Sequence, residues 1–166
     1  MPNKKFDYSL NYKLIDCRKN PEFYTIGKGE QGVLLVEPYK SEILPHWRFK
    51  TPDIAQASAE KIYQMFLDYK SSNDFPGMDM CKKFLNMGYS RARRYANHAD
   101  GKKYDGPVPD DQKGRSGSHG RNQLPIDADE EKAECARKFY PYWMLAKNDE
   151  DYKQMALKHK EKFEKV

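Results

Sequence analysis

At Thr51 the hydrophobic pattern changes period from two residues to about 3.6, so strands are expected before this junction and helices after it. Thr51 is a good N-cap residue and Pro52 suits the first helical position. Ala55, Ala59, Ile62, Phe66 and Tyr69 then form a stripe that ends at Ser71-Ser72-Asn73. A second helical pattern follows Phe75-Pro76-Gly77, with Cys81, Phe84, Leu85, Gly88, Ala92, Tyr95 and Ala96 in step. A helix-turn-helix break at Gly88 would reset this register. Phe84, Gly88, Ala92 and Ala96 stay aligned, which predicts one continuous helix with Gly88 at a close packing point.

Upstream of Thr51, Phe23-Tyr24-Thr25-Ile26 is β-prone, Gly27 to Gly32 reads as a loop, and Val33-Leu34-Leu35-Val36 reads as a buried strand. Between Glu42 and Lys50 the residues alternate. Ile43, Trp47 and Phe49 fall on one face, His46, Arg48 and Lys50 on the other, and Pro45 marks an edge strand. Residues 1–21 fit either an edge strand or an extended arm. The expected class is therefore α+β: a small N-terminal antiparallel sheet over about 22–50, packed on about four helices near 53–70, 79–97, 128–140 and 149–164. Trp47, Phe49, Phe66 and Phe84 should share one core, and Pro141 should break or kink the third helix. A length of 166 residues suits a single domain spanning 1–166, interrupted by a long Gly/Pro/Ser-rich basic loop at about 98–127.

Twelve Tyr, eight Phe and two Trp argue against wholesale disorder. Cys17, Cys81 and Cys135 are widely spaced and odd in number, as expected of reduced thiols. The charged N-terminus and the lack of a long apolar run predict a cytoplasmic protein with no membrane segment. Positive charge is concentrated: residues 82–121 hold ten Lys/Arg against four Asp/Glu, whereas each flank is close to balance. A basic stretch of this kind is the electrostatic footprint of a protein that meets phosphates or an acidic surface.

Gly27 to Gly32 matches G-x-G-x-x-G, but a dinucleotide site needs a helix directly behind the glycines and a β-prone run follows here. The loop is accordingly read as a turn. An alternative phosphate site would draw on Lys28, Lys40, His46 and Arg48, in an enzyme acting on a phosphorylated small molecule. No catalytic constellation, metal motif or cofactor motif is evident, and no cofactor is expected. The strongest cluster is basic. On a helix, Lys82, Asn86, Ser90, Arg93 and Asn97 share the face opposite the apolar stripe, with Lys83 and Arg94 beside them. Lys82, Lys83, Arg91, Arg93, Arg94, Asn97, Lys102 and Lys103 form the expected contact set for nucleic acid or another polyanion, or else for an acidic protein partner.

Three stretches carry a family resemblance. They are Tyr24 to Lys40, containing GKGEQGVLLVEPYK, then ILPHWRF at 43–49, and GYSRARRYANH at 88–98. They resemble a domain-of-unknown-function family of bacteria and of viruses, including phages, over about Phe6 to Phe163. The resemblance implies no established activity. It implies a bacterial or phage source, and for a phage protein a location in the host cytoplasm.

Overall fold

The computed structural model describes residues 5–97, 104–112, 117–122 and 129–164. Among them no strand occurs, and the fold is all-helical. Its elements are α1 (Glu30–Val33), α2 (Tyr39–Ile43), α3 (Pro52–Ser71), α4 (Phe75–Asn97), α5 (Glu130–Lys147) and α6 (Glu150–His159). Single 3-10 turns lie at Pro21–Phe23, Leu44–His46 and Asp110–Gln112, and a π-helical turn, Lys160–Glu164, follows α6.

The α+β expectation is thus corrected, and local bonding gives the reason. Val33 to Val36 forms successive turns, in which the Val33 amide donates to Gly29 O at 3.1 Å and the Leu35 amide to Gly32 O at 3.1 Å. This buries Val33 and Val36, three apart, and leaves Leu35 exposed. A short apolar run has no period of its own to separate strand from helix, and β-propensity yields to packing. Around Trp47 to Lys50 the alternation is real, since Trp47 and Phe49 are half-buried while His46, Arg48 and Lys50 are exposed. A side chain takes the place of a neighbouring strand. Ser58 Oγ on α3 donates to His46 O at 2.6 Å and accepts from the Arg48 amide at 3.0 Å. Those are the groups that a sheet ladder would otherwise satisfy. Residues 5–20 are an arm of turns, joined to the body where the Cys17 amide donates to Glu37 O at 3.1 Å.

The long helices lie near their expected places. Thr51 Oγ1 accepts from the Ile54 amide at 3.3 Å and caps α3, whose buried face is Ala55, Ser58, Ala59, Ile62 and Phe66. Asn73, at φ 56°, closes that helix, with the Asp74 amide returning to Tyr69 O at 2.8 Å. Helix α4 starts a turn earlier than expected because Asp74 Oδ1 accepts from the Gly77 amide at 3.2 Å. It is continuous through Gly88, where an added Cβ would lie 2.7 Å from the Phe139 ring of α5. The Asp129 amide donates to Ala96 O at 2.6 Å, so the start of α5 meets the end of α4 and the two helices run antiparallel. Pro141 does not end α5 as expected. The residue four back, whose carbonyl loses its helical donor, is the exposed Arg137, so water can serve that carbonyl. One core forms around α3, α4 and α5 and takes in Tyr24, Val33, Val36, Tyr39 and Ile43 from the N-terminal turns and Tyr152 from α6. Phe66, Phe84 and Phe139 are fully buried in it, and Trp47 and Phe49 pack on its edge.

Candidate functional site

The basic face of α4 divides into cations held internally and cations left outside. Lys82 is half-buried and its Nζ donates to Tyr152 Oη at 3.1 Å. Burial lowers its pKa, Asp79 opposes that shift, and the nearby Lys83, Lys147 and Lys160 add to it. Lys83 is half-buried as well. Arg91 pairs with Glu30 and lies 5.4 Å from the Trp47 ring centre. Asn97 is half-buried at the helix end, and Lys102 and Lys103 lie outside the described residues. Arg93 and Arg94 are exposed, and their side chains make no hydrogen bond, ion pair or ring contact to any described residue.

Every other described arginine has partners. Arg18 makes a fork on Glu42 at 2.7 and 2.9 Å and reaches Asp74 at 3.0 Å. Arg48 donates to Pro45 O, and Arg137 holds Glu130 and Glu134. Arg121 donates to the carbonyls of Gly106, Gly117 and Ser118 and so knits together the described parts of the long loop.

The alternative phosphate set is spread over the N-terminal turns: the Lys28 side chain is sealed inside the protein, whereas His46 and Arg48 are at the surface. His46 and Arg48 are exposed on the Ser58-bonded turn, and Lys40 is half-buried in α2. Contrary to expectation, a helical turn begins within the glycine motif, with Gly29 as N-cap of α1 and Gly32 inside it. It is only four residues long, too short to present a useful dipole to an anion.

Lys28 instead belongs to a sealed centre that the sequence reading missed. Its ammonium is completely buried, 3.8 Å from Asp79 Oδ2 and 3.8 Å from the Tyr24 ring centre, and it donates to Thr25 O at 2.7 Å. Asp79 accepts hydrogen bonds from Tyr24 Oη and, at 2.5 Å, from Tyr152 Oη. Burial pushes the Lys28 pKa down to about 7 against the pull of Asp79. Burial would raise the Asp79 pKa, but Lys28, then Lys83 and Lys82, and the Tyr152 hydroxyl hold it below the usual carboxylate range. The one available signal was a carboxylate inside the run Met78-Asp79-Met80-Cys81, all of which is buried. Beside this centre, the His159 ring nitrogen Nε2 is 2.8 Å from Tyr24 O and 3.6 Å from Glu164, and burial lowers the His159 pKa.

A cleft of 690 Å³ opens between the start of α4 and α6, lined by Arg18, Tyr69, Phe75, Lys158 and Phe163 among others. Its arginine is already neutralised by Glu42 and Asp74. Among the described residues no three His, Cys, Asp or Glu converge as metal ligands, and no helix is long and apolar enough to cross a membrane.

Fold and site together define an all-helical protein with a two-arginine cationic face and a sealed Lys–Asp centre. The chain belongs to the family described as Domain of unknown function (DUF4385), whose model matches residues 7–162. Comparison with curated proteins and with solved structures gives no match.

Proposed function

We propose that the protein binds a polyanion, with nucleic acid as the first candidate, through the exposed turn of α4 that carries Arg93 and Arg94. The contrast among the arginines supports this. Arg18, Arg48, Arg91, Arg121 and Arg137 are occupied by carboxylates or carbonyls, while Arg93 and Arg94 offer two unengaged guanidinium forks on one helical turn. Such forks match phosphate oxygens two at a time. The contact set is smaller than the sequence pattern suggests, because Lys82 and Arg91 already serve internal partners. A cytoplasmic location accords with the three free, buried cysteines.

The test is a titration with oligonucleotides at two or more salt concentrations. Each neutralised phosphate contributes a log–log slope of about −0.9 on duplex DNA, so the double variant Arg93→Ala/Arg94→Ala should flatten the slope by up to about two units. Its melting temperature should stay near that of the parent, since exposed cations add little to folding. Absence of binding at low salt in the parent protein would overturn the proposal, as would an unchanged slope in the variant.

A further inference from the structure

Next to the unengaged arginines lies an aromatic patch built from two helices. Tyr89 of α4 is 5.5 Å, centre to centre, from both Tyr140 and Trp143 of α5, and those two rings are 6.1 Å apart at nearly a right angle. Tyr140 is 47 % exposed, and Tyr89 and Trp143 are half-buried beside it, so the patch reaches the surface chiefly at Tyr140. Cations stand at both ends of the patch. Arg93 is one helical turn beyond Tyr89 and therefore on the same side of α4. At the other end Lys147 Nζ lies 5.7 Å from the Trp143 ring centre, and Lys82 feels the positive charge of Lys147 and Lys160. Of the acids in the first turns of α5, Glu130 and Glu134 are matched by Arg137 and Lys138, which leaves Glu131 to oppose this field.

We infer that this Tyr89–Tyr140–Trp143 patch, flanked by Arg93 and Lys147, is a stacking platform for single-stranded nucleic acid. The inference rests on the polyanion reading above and specifies its substrate. Any base offers a π-face to an aromatic ring, whereas a duplex hides its bases in the stack and shows mainly phosphate to such a surface. An acidic protein would find the cations equally useful, but only a base stacks on Tyr140 as one planar ring on another while its own phosphate reaches the flanking cations. The alternation of cation, rings and cation along the α4–α5 seam follows the recurring plan of single-strand grooves, in which charge tracks the backbone and aromatics take the bases.

The experiment compares an oligothymidylate strand of about 12 nucleotides, within the span such sites engage, with a duplex of equal length and with polyglutamate. Binding is read from anisotropy of the labelled probe and from Trp emission of the protein. The single strand should bind more tightly than the duplex and change the emission of Trp143. Tyr140→Ala should weaken single-strand binding roughly 5- to 150-fold, as expected for the loss of one base–ring stack, and Tyr140→Phe should restore it. The salt slope of Tyr140→Ala should match the parent, because no cation is removed. If Tyr140→Ala lost helicity, Tyr140→Leu would serve as the variant that keeps apolar bulk without the ring. Equal affinity for strand and duplex, insensitive to Tyr140, would overturn the platform while leaving polyanion binding intact. Failure of both nucleic acids at low salt would remove the parent reading together with this one, and tighter binding of polyglutamate would assign the face to an acidic protein.

Discussion

A lysine ammonium sealed from water carries a desolvation cost that a nearby carboxylate offsets only in part, and Lys28 is in that position beside Asp79. Its folded pKa of about 7 makes stability depend on pH in a defined direction. Below about pH 7 both the folded and the unfolded chain hold the proton. Above it the folded chain releases the proton while the unfolded chain keeps it up to about 10.4, so stability rises with pH. The clean window ends before about pH 8, because the unfolded cysteines are half ionised at about 8.5 and begin to lose protons about a unit below that. Burial raises the folded thiols of all three cysteines, Cys17 to about 11 and Cys81 and Cys135 likewise upward, which bends the curve the other way beyond that point. His159, lowered by burial, acts below the window. The unfolding free energy from urea melts should therefore climb from about pH 7 to just below about pH 8, with Lys28 contributing at most about 1.4 kcal/mol per pH unit. Lys28→Met should flatten the climb and cost about 3–5 kcal/mol at pH 7, since it strands the Asp79 carboxylate. A level parent curve in this window would mean that Lys28 keeps its proton.

At the scale of elements, Ser58 decides why the segment after α2 is not a strand. Its hydroxyl serves both His46 O and the Arg48 amide, and Ser58→Ala leaves two backbone groups to find water or go unpaired. The substitution should cost about 1–3 kcal/mol and should speed hydrogen exchange at the Arg48 amide far more than in the middle of α3. Uniform acceleration along α3 would instead indicate a role in helix packing alone. Helix α3 was legible in the sequence because its cap, first-turn proline and apolar stripe all agree. Trp47 to Phe49 was half legible: the alternation reported exposure correctly, but nothing local could reveal that a serine would replace the neighbouring strand. The candidate site divides in the same way. Arg93 and Arg94 could be read as outward-facing from the apolar stripe of their own helix. The internal engagement of Lys82 and Arg91 depends on Tyr152 and Glu30, which lie about sixty residues or more away in sequence and leave no periodic trace near α4. The pairing of Lys28 with Asp79 is hidden for the same reason.

Over the whole molecule, the two ends of the described chain close on each other around Asp79. Tyr24 gives its hydroxyl to Asp79 and its carbonyl to His159, and Tyr152 approaches Asp79 from α6. Glu164, in the turn after α6, accepts from the Ile26 amide at 3.2 Å across 138 residues of sequence. These polar contacts close the edge of the core at the start of α4, where Tyr24, Ile26 and Tyr152 join it, while Phe66, Phe84 and Phe139 lie at the junction of α3, α4 and α5. A closure made by polar contacts at the core's edge is expected to open before the α3–α4–α5 junction, which should open only in global unfolding. Glu164→Ala removes the acceptor of a buried amide and should cost about 1–3 kcal/mol. Hydrogen exchange should then accelerate at Ile26 and in the last turn of α6, with the interior amides of α3 and α5 losing protection only as far as global stability falls. Binding of oligothymidylate should survive the substitution, because Arg93 and Tyr140 lie on the α4–α5 seam and not at the closure. If α3 and α5 opened together with Ile26 at the same free energy, the molecule would be a single cooperative unit, and the terminal closure would be part of its core rather than a layer outside it.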